Sequence, residues 1–127
     1  MAKRKKLTLA KLKVKAQGIF NAWIRNRDIL EDGTYICISC GKKTTKPNAG
    51  HYFPVKGYQH IRYDEHNVNV QCISCNGFLE GATIGYRRGL IRKIGLDAVI
   101  DLENRAFDSV HIFNKEEIEE IIRVYKW

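Results

Sequence analysis

The sequence predicts an α+β fold with a zinc-stapled centre and helices on both flanks. Three observations lead there. The tetrapeptide CISC occurs twice, at residues 37–40 and 72–75. Each copy ends or closely follows a short run with strand character, Thr34 to Ile38 and "NVNV" at 67–70, rich in β-branched residues or alternating in polarity. Before the first copy and after the second, apolar residues recur at spacings of three and four, the period of a helix with one buried face. With 127 residues, 44% hydrophobic and 28% charged, the chain suits one soluble domain with a modest core. The reading divides it into a mobile basic arm, residues 1–6, and a single domain, 7–127.

From Leu7 to about Leu30, the residues Leu9, Leu12, Ala16, Ile19, Phe20, Trp23 and Ile24 mark one face of a helix. Gly18 sits inside it, where a glycine costs up to about 1 kcal/mol relative to alanine, so a bend or break is expected there. Asp32-Gly33 is a turn pair leading into the first strand and a tight knuckle. Residues 42–60, punctuated by Pro47, Gly50, Pro54 and Gly57, read as irregular. "NVNVQC" is a second strand with Val68 and Val70 on one side, and a helix is expected from residue 76 onward. Ile84, Tyr86, Leu90, Ile91 and Ile94 are spaced for a helix stopped by Gly95, followed by a short helix over "LDAVIDLENRAF". Asn114 with Glu117 forms an N-cap and capping-box pair that opens the last helix.

Charge is distributed unevenly. Residues 1–27 hold nine Lys or Arg and no acid; residues 42–93 hold nine bases against three acids; the tail from 94 carries eight acids against four bases. A basic arm and a basic middle with an acidic end match a domain that meets phosphates on one side. The apolar runs are far shorter than the roughly 18 to 20 residues of a membrane span, and the basic start lacks the apolar stretch of a signal peptide. No membrane partner is therefore expected and the cytoplasm is the expected compartment. There, thiols stay reduced and paired cysteines point to metal rather than to disulfides.

Two C-x-x-C pairs, Cys37/Cys40 and Cys72/Cys75, provide four thiolates for one tetrahedral zinc ion. Four sulfurs fill the coordination shell, so such a zinc is structural. A knuckle after a strand, an insert, and a second knuckle at the start of a helix is the order of a treble clef.

Between the pairs stand "AGHYFP" (49–54) and "DEHNVNVQCISCN" (64–76). This spacing resembles the HNH nucleases, in which a zinc-stapled treble clef carries a ββα-metal core. The resemblance implies that His51 is the general base, that Asn67 fixes the hairpin loop and orients that histidine, and that Asn76 binds a catalytic divalent cation, magnesium or manganese. The chemistry suits these types: a neutral imidazole can accept a proton from water near pH 7, and a hard cation prefers oxygen ligands such as an amide carbonyl. Over residues 14–104, "AQGIFNAWIRNRD", "CISCGK", "IRYDEHNVNVQCISCN" and "YRRGLIRKIGLDAVIDLE" resemble the NinG/Rap recombination proteins of lambda-type phages, and the order of site residues is similar to endonuclease VII. What this implies is a structure-selective endonuclease of branched recombination intermediates such as Holliday junctions and D-loops, in the host cytoplasm, with recombination proteins as partners.

One departure concerns the position before His51. Many HNH enzymes place a metal-binding Asp or His there, and this chain has Gly50. Asp64, Glu65 and Glu80 are the alternative oxygen donors, and His60 and His66 are close in sequence. Lys3, Arg4, Lys5, Lys6, Arg25, Arg27, Arg62, Arg87 and Arg88 are the expected phosphate contacts, with Arg62 suited to clamp the scissile phosphate through two donors. Cutting both arms of a junction calls for two sites, so a homodimer is expected. The competing expectation, favoured by Gly50, is a non-catalytic zinc-containing DNA-binding accessory protein.

Overall fold

The structure, a computed structural model, describes residues 6–78, 82–108 and 110–126. Lys3, Arg4 and Lys5 of the expected arm, and Glu80, lie outside the described residues. The first helix, α1, spans Leu9–Asp28 and starts where Thr8 Oγ1 accepts a hydrogen bond from the Lys11 N–H at 3.2 Å, which satisfies one of the unpaired donors of the first turn. Leu12, Ala16, Phe20 and Ile24 form its buried stripe. The expected break at Gly18 does not occur: the helix continues through it, because burial of the stripe on both sides outweighs the local cost of one glycine.

Strands β1 (Tyr35–Ile36) and β2 (Lys43–Thr44) pair antiparallel around the first knuckle, entered through a turn in which Gly33 takes φ +81°. Strand β3 (Asn48–His51) pairs antiparallel with β4 (Val68–Gln71), setting Asn48 opposite Gln71, Gly50 opposite Asn69 and His51 opposite Val68. The irregular stretch expected over 42–60 thus contains β2 and β3. "NAGH" has poor intrinsic strand preference; pairing with a fully buried neighbour makes it a strand.

Strand β4 is buried on both faces. Val68 and Val70 join Leu12, Ala16, Phe20, Ile24, Tyr63 and Ile118 in one apolar cluster. The alternate residues, Asn69 and Gln71, find polar partners instead: Asn69 donates to Tyr86 Oη at 3.1 Å and Gln71 to Ser39 Oγ at 2.8 Å.

Past β4, the second knuckle runs into a short π-helical turn, Ser74–Phe78. The long helix expected from residue 76 begins later, as α2 (Thr83–Ile94), after Ala82 in a left-handed conformation with φ +46°. Gly95 ends α2 with φ +90°, and α3 (Leu96–Asp108) follows. Together they enclose a second cluster of Ile61, Tyr86, Leu90, Val99, Leu102 and Ala106. The last helix, α4 (Lys115–Tyr125), opens with the expected capping box, Glu117 N–H to Asn114 Oδ1 at 2.9 Å and Asn114 N–H to Glu117 Oε1 at 3.0 Å. It returns to α1, where the Tyr125 ring meets Phe20 edge-on at 4.6 Å. The β3–β4 hairpin is therefore held between two apolar clusters. Among the described residues, no helix is long and apolar enough to cross a membrane.

Helix α2 approaches the first knuckle through glycine. A Cβ on Gly89 would lie 1.8 Å from the Ile38 carbonyl oxygen, and one on Gly85 2.3 Å from that of Ser39, whereas one on Gly18 would meet nothing within 4 Å. Gly89→Ala is expected to lower unfolding free energy by about 1–3 kcal/mol or more through overpacking, and Gly18→Ala to raise it by about 1 kcal/mol. Thermal or urea unfolding of the two variants reads both signs.

Candidate functional site

The two knuckles bring Cys37, Cys40, Cys72 and Cys75 together, their four sulfurs all within 4.8 Å of one another. Cys40 Sγ and Cys72 Sγ are 3.8 Å apart. Bonds of about 2.3 Å in a tetrahedron separate sulfurs by about 3.8 Å, so the cluster has the dimensions of a zinc site. The local chain explains the convergence. The Cys37 N–H donates to Lys42 O at 3.0 Å, closing the first knuckle, and the Ile38 N–H donates to Val70 O at 2.9 Å, fastening that knuckle to β4 two residues before Cys72. Burial opposes charge on Cys37, yet backbone N–H groups of Cys40, Cys72 and Ser39 hold its thiol down to about 7. Burial and the neighbouring sulfurs push Cys75 up. Four thiolates at these distances would repel one another, and a divalent cation is the group that would relieve it. The four cysteines could hold a metal such as zinc.

His51 ends β3, and its Nε2 lies 3.0 Å from the Arg62 carbonyl oxygen. A carbonyl can only accept, so Nε2 carries the hydrogen and Nδ1 is left as the basic nitrogen. Burial, aided by the Arg62 charge and opposed by that hydrogen bond, lowers the His51 pKa from its ordinary 6.5. The imidazole is neutral at pH 7. His51 and Asn76 line one cavity of about 440 Å³, together with Tyr52, Thr83 and Tyr86. Asn76 reaches it from the π-helical turn that also contains Cys75, not from the first turn of a long helix.

Asn67 is fully buried and stitches the loop between the strands. Its Oδ1 accepts from the Phe53 N–H at 2.9 Å, and its Nδ2 donates to Phe53 O and Ile61 O, both at 3.1 Å. Ile61 precedes Arg62, whose carbonyl holds His51, so the amide fixes the segment that orients the imidazole. Sequence reading missed Tyr86, which it counted only as an apolar helix position. Its buried hydroxyl donates to Gly50 O at 2.7 Å and binds Asn67 O at 3.2 Å, tying α2 to both strands at the cavity wall.

Several expected residues are placed elsewhere. Arg62 is 8% exposed, with Nε on Gln17 Oε1 at 2.9 Å and its guanidinium over the Tyr63 ring; that burial argues against a phosphate clamp and makes it a tie to α1. Arg27 points inward as well, donating to Glu65 O, Val68 O, Asn69 Oδ1 and Asp28. Burial opposes charge on Asp28, but Arg27 and Lys93 hold its carboxyl below the usual range. Arg87 forms a two-bond pair with Glu103, at 2.8 and 3.0 Å. Lys6 and Arg88 are exposed and Arg25 is half-buried.

Asp64, Glu65 and His66 line a different depression with Arg105 and Tyr125, and His60 Nε2 is 3.0 Å from Arg105 O. They do not line the His51 cavity. At Gly50, a Cβ would lie 1.7 Å from Gln71 Oε1, so the Gln71 side chain occupies the space that a residue in the metal-binding position before His51 would need.

Elemental analysis of purified protein is expected to find one zinc per chain. Cys75→Ser should lose that metal together with cooperative melting, since structural zinc supplies on the order of 10 kcal/mol to small domains.

A family model described as Bacteriophage Lambda NinG protein matches residues 1–127. Protein ninG of Escherichia phage 933W is 40% identical over 90 residues, covering 70% of this chain and 43% of that protein. Protein ninG of Salmonella phage P22 is 40% identical over 90 residues, 70% of this chain and 42% of the relative. For Escherichia phage lambda, the figures are 39%, 90 residues, 70% and 42%. The matched region thus spans less than half the length of these relatives. No solved structure matches. With the family model covering the whole sequence, the chain belongs to the NinG family.

Proposed function

We propose that this domain is a metal-dependent endonuclease of branched DNA with an HNH-type ββα-metal core on a zinc treble clef. The observation that carries the reading is the shared cavity: His51, its Nε2 held by the Arg62 carbonyl, and Asn76, directly after the last cysteine, line the same space. In this reading, Nδ1 of His51 takes a proton from water as the water oxygen bonds to phosphorus. The P–O ester bond breaks, and the departing oxygen is protonated from solvent. Asn76 would hold a magnesium or manganese ion with its side-chain carbonyl, and that cation would stabilise charge on the departing oxygen. Asn67 keeps the loop and the Arg62 carbonyl in place. Lys6, Arg25 and Arg88 supply sequence-independent attraction to phosphates. Branched DNA, recombination proteins and a second copy of the chain are the proposed partners.

A second reading, a non-catalytic zinc-containing DNA-binding accessory protein, rests on Gly50, whose side-chain position Gln71 fills.

Incubation with a labelled four-way junction separates the two. Wild-type protein is expected to nick it only with magnesium or manganese, and His51→Ala to bind equally but cut about 10²–10⁴-fold more slowly. Binding without cleavage under every cation would leave the accessory reading. Because burial lowers the His51 pKa and the neutral form is the base, the rate should climb with pH through a midpoint below 6.5 and be flat around pH 7. An acid limb centred above 6.5 would exclude His51 as the base.

A further inference from the structure

Next to the His51 cavity is a second, smaller depression of about 240 Å³, bounded by Tyr52, Thr83, Ile84, Arg87, Arg88 and Ile91. Tyr52 and Thr83 line both. Ile84 projects at this junction and is 74% exposed. A lone exposed isoleucine is ordinary on any protein surface. What distinguishes this one is how firmly its surroundings are fixed. Two residues on, Tyr86 is buried and bonded to the Gly50 and Asn67 carbonyls. One residue on, Gly85 packs so tightly on the Ser39 carbonyl that no Cβ would fit. The first turn of α2 is thereby pinned to the hairpin and to the knuckle, and a β-branched side chain in a helix has one strongly preferred rotamer. The apolar tip is held outward on a rigid base.

One flank is cationic. Arg88, one helical turn further along, is exposed. On the other side, Arg87 and Glu103 neutralise each other in a two-bond pair. An apolar point framed by a guanidinium beside the cavity proposed to take the scissile phosphate matches a nucleic-acid wedge, which seats an aliphatic side chain against a base step while cations take the adjoining phosphates. Unstacking a step of continuous duplex costs a few kcal/mol. At a branch point, stacking is already interrupted, so the same wedge meets less resistance there than in linear duplex.

We propose that Ile84 is a wedge that seats against the unstacked base pair at a DNA branch, with Arg88 on an adjoining phosphate, and so sets preference for branched over linear DNA. This deepens the nuclease reading given above and rests on it for the DNA substrate and for the cleavage readout.

The test uses a synthetic four-way junction carrying 2-aminopurine at the branch, and a linear duplex of the same sequence labelled internally. Bound to His51→Ala protein without added divalent cation, the junction probe is expected to brighten and the duplex probe to stay dark. Adding Ile84→Ala should abolish the brightening with junction affinity changed by less than about 3-fold, while Ile84→Leu retains it. In otherwise wild-type protein, Ile84→Ala should lower the ratio of junction to linear cleavage about tenfold. An unchanged melting temperature is expected, since the side chain is exposed. Brightening that persists in Ile84→Ala overturns the wedge. Brightening that depends on Ile84 in a protein that cuts no DNA upholds it and overturns the nuclease reading alone. Absence of brightening with the junction bound also overturns it.

Discussion

The β4 strand is buried on both sides, and one side is polar. That constraint organises everything around it. An amide enclosed without a partner costs about 1–3 kcal/mol, so Asn69 and Gln71 each require groups aimed at them from elsewhere in the chain. Those groups come from every direction. Tyr86 reaches in from α2, Arg27 from the end of α1, Lys93 from the end of α2 and Ser39 from the first knuckle. The polar face of one four-residue strand therefore fixes where two helices and a knuckle must lie. Satisfied networks of this kind specify a single arrangement more strictly than an apolar contact does.

The cysteine cluster and the His51 cavity are linked through this strand. The first knuckle hangs from β4 by the Ile38 to Val70 hydrogen bond and is overlaid by α2 at Gly85 and Gly89. The second knuckle continues β4 directly and hands the chain to the turn that carries Asn76. A metal holding four sulfurs together would therefore also hold one cavity wall, Asn76, in fixed relation to another, His51. Its contribution would be geometric, since four cysteines leave no coordination position for a reacting water.

Much of this was legible in the chain. Four helices lie within two residues of their expected ends, with the exception of the start of α2, because amphipathic period, Gly95 and the Asn114 cap are local signals. The convergence of the two cysteine pairs followed from their spacing. Three things were not legible. β3 carries Asn48, Ala49 and Gly50, none of which prefers a strand, and becomes one through its partner. Arg27 and Arg62 counted toward a basic surface, yet a guanidinium offers five donors and can serve buried carbonyls; charge counting is blind to direction. Tyr86 fits an apolar helix position by period, and nothing local indicates that its hydroxyl would find Gly50 and Asn67.

Gly50 and Gln71 share one volume: the absent side chain of the first is the space filled by the amide of the second. A side chain at position 50 therefore requires the Gln71 amide to move or to be shortened. An acidic residue at position 50 would collide with the glutamine, and a shorter residue at 71 would leave a void under the strand and remove the donor to Ser39. Within the family, these two positions are expected to change as a pair. The chain sits at one end of that exchange, and changing either residue first passes through a less stable intermediate.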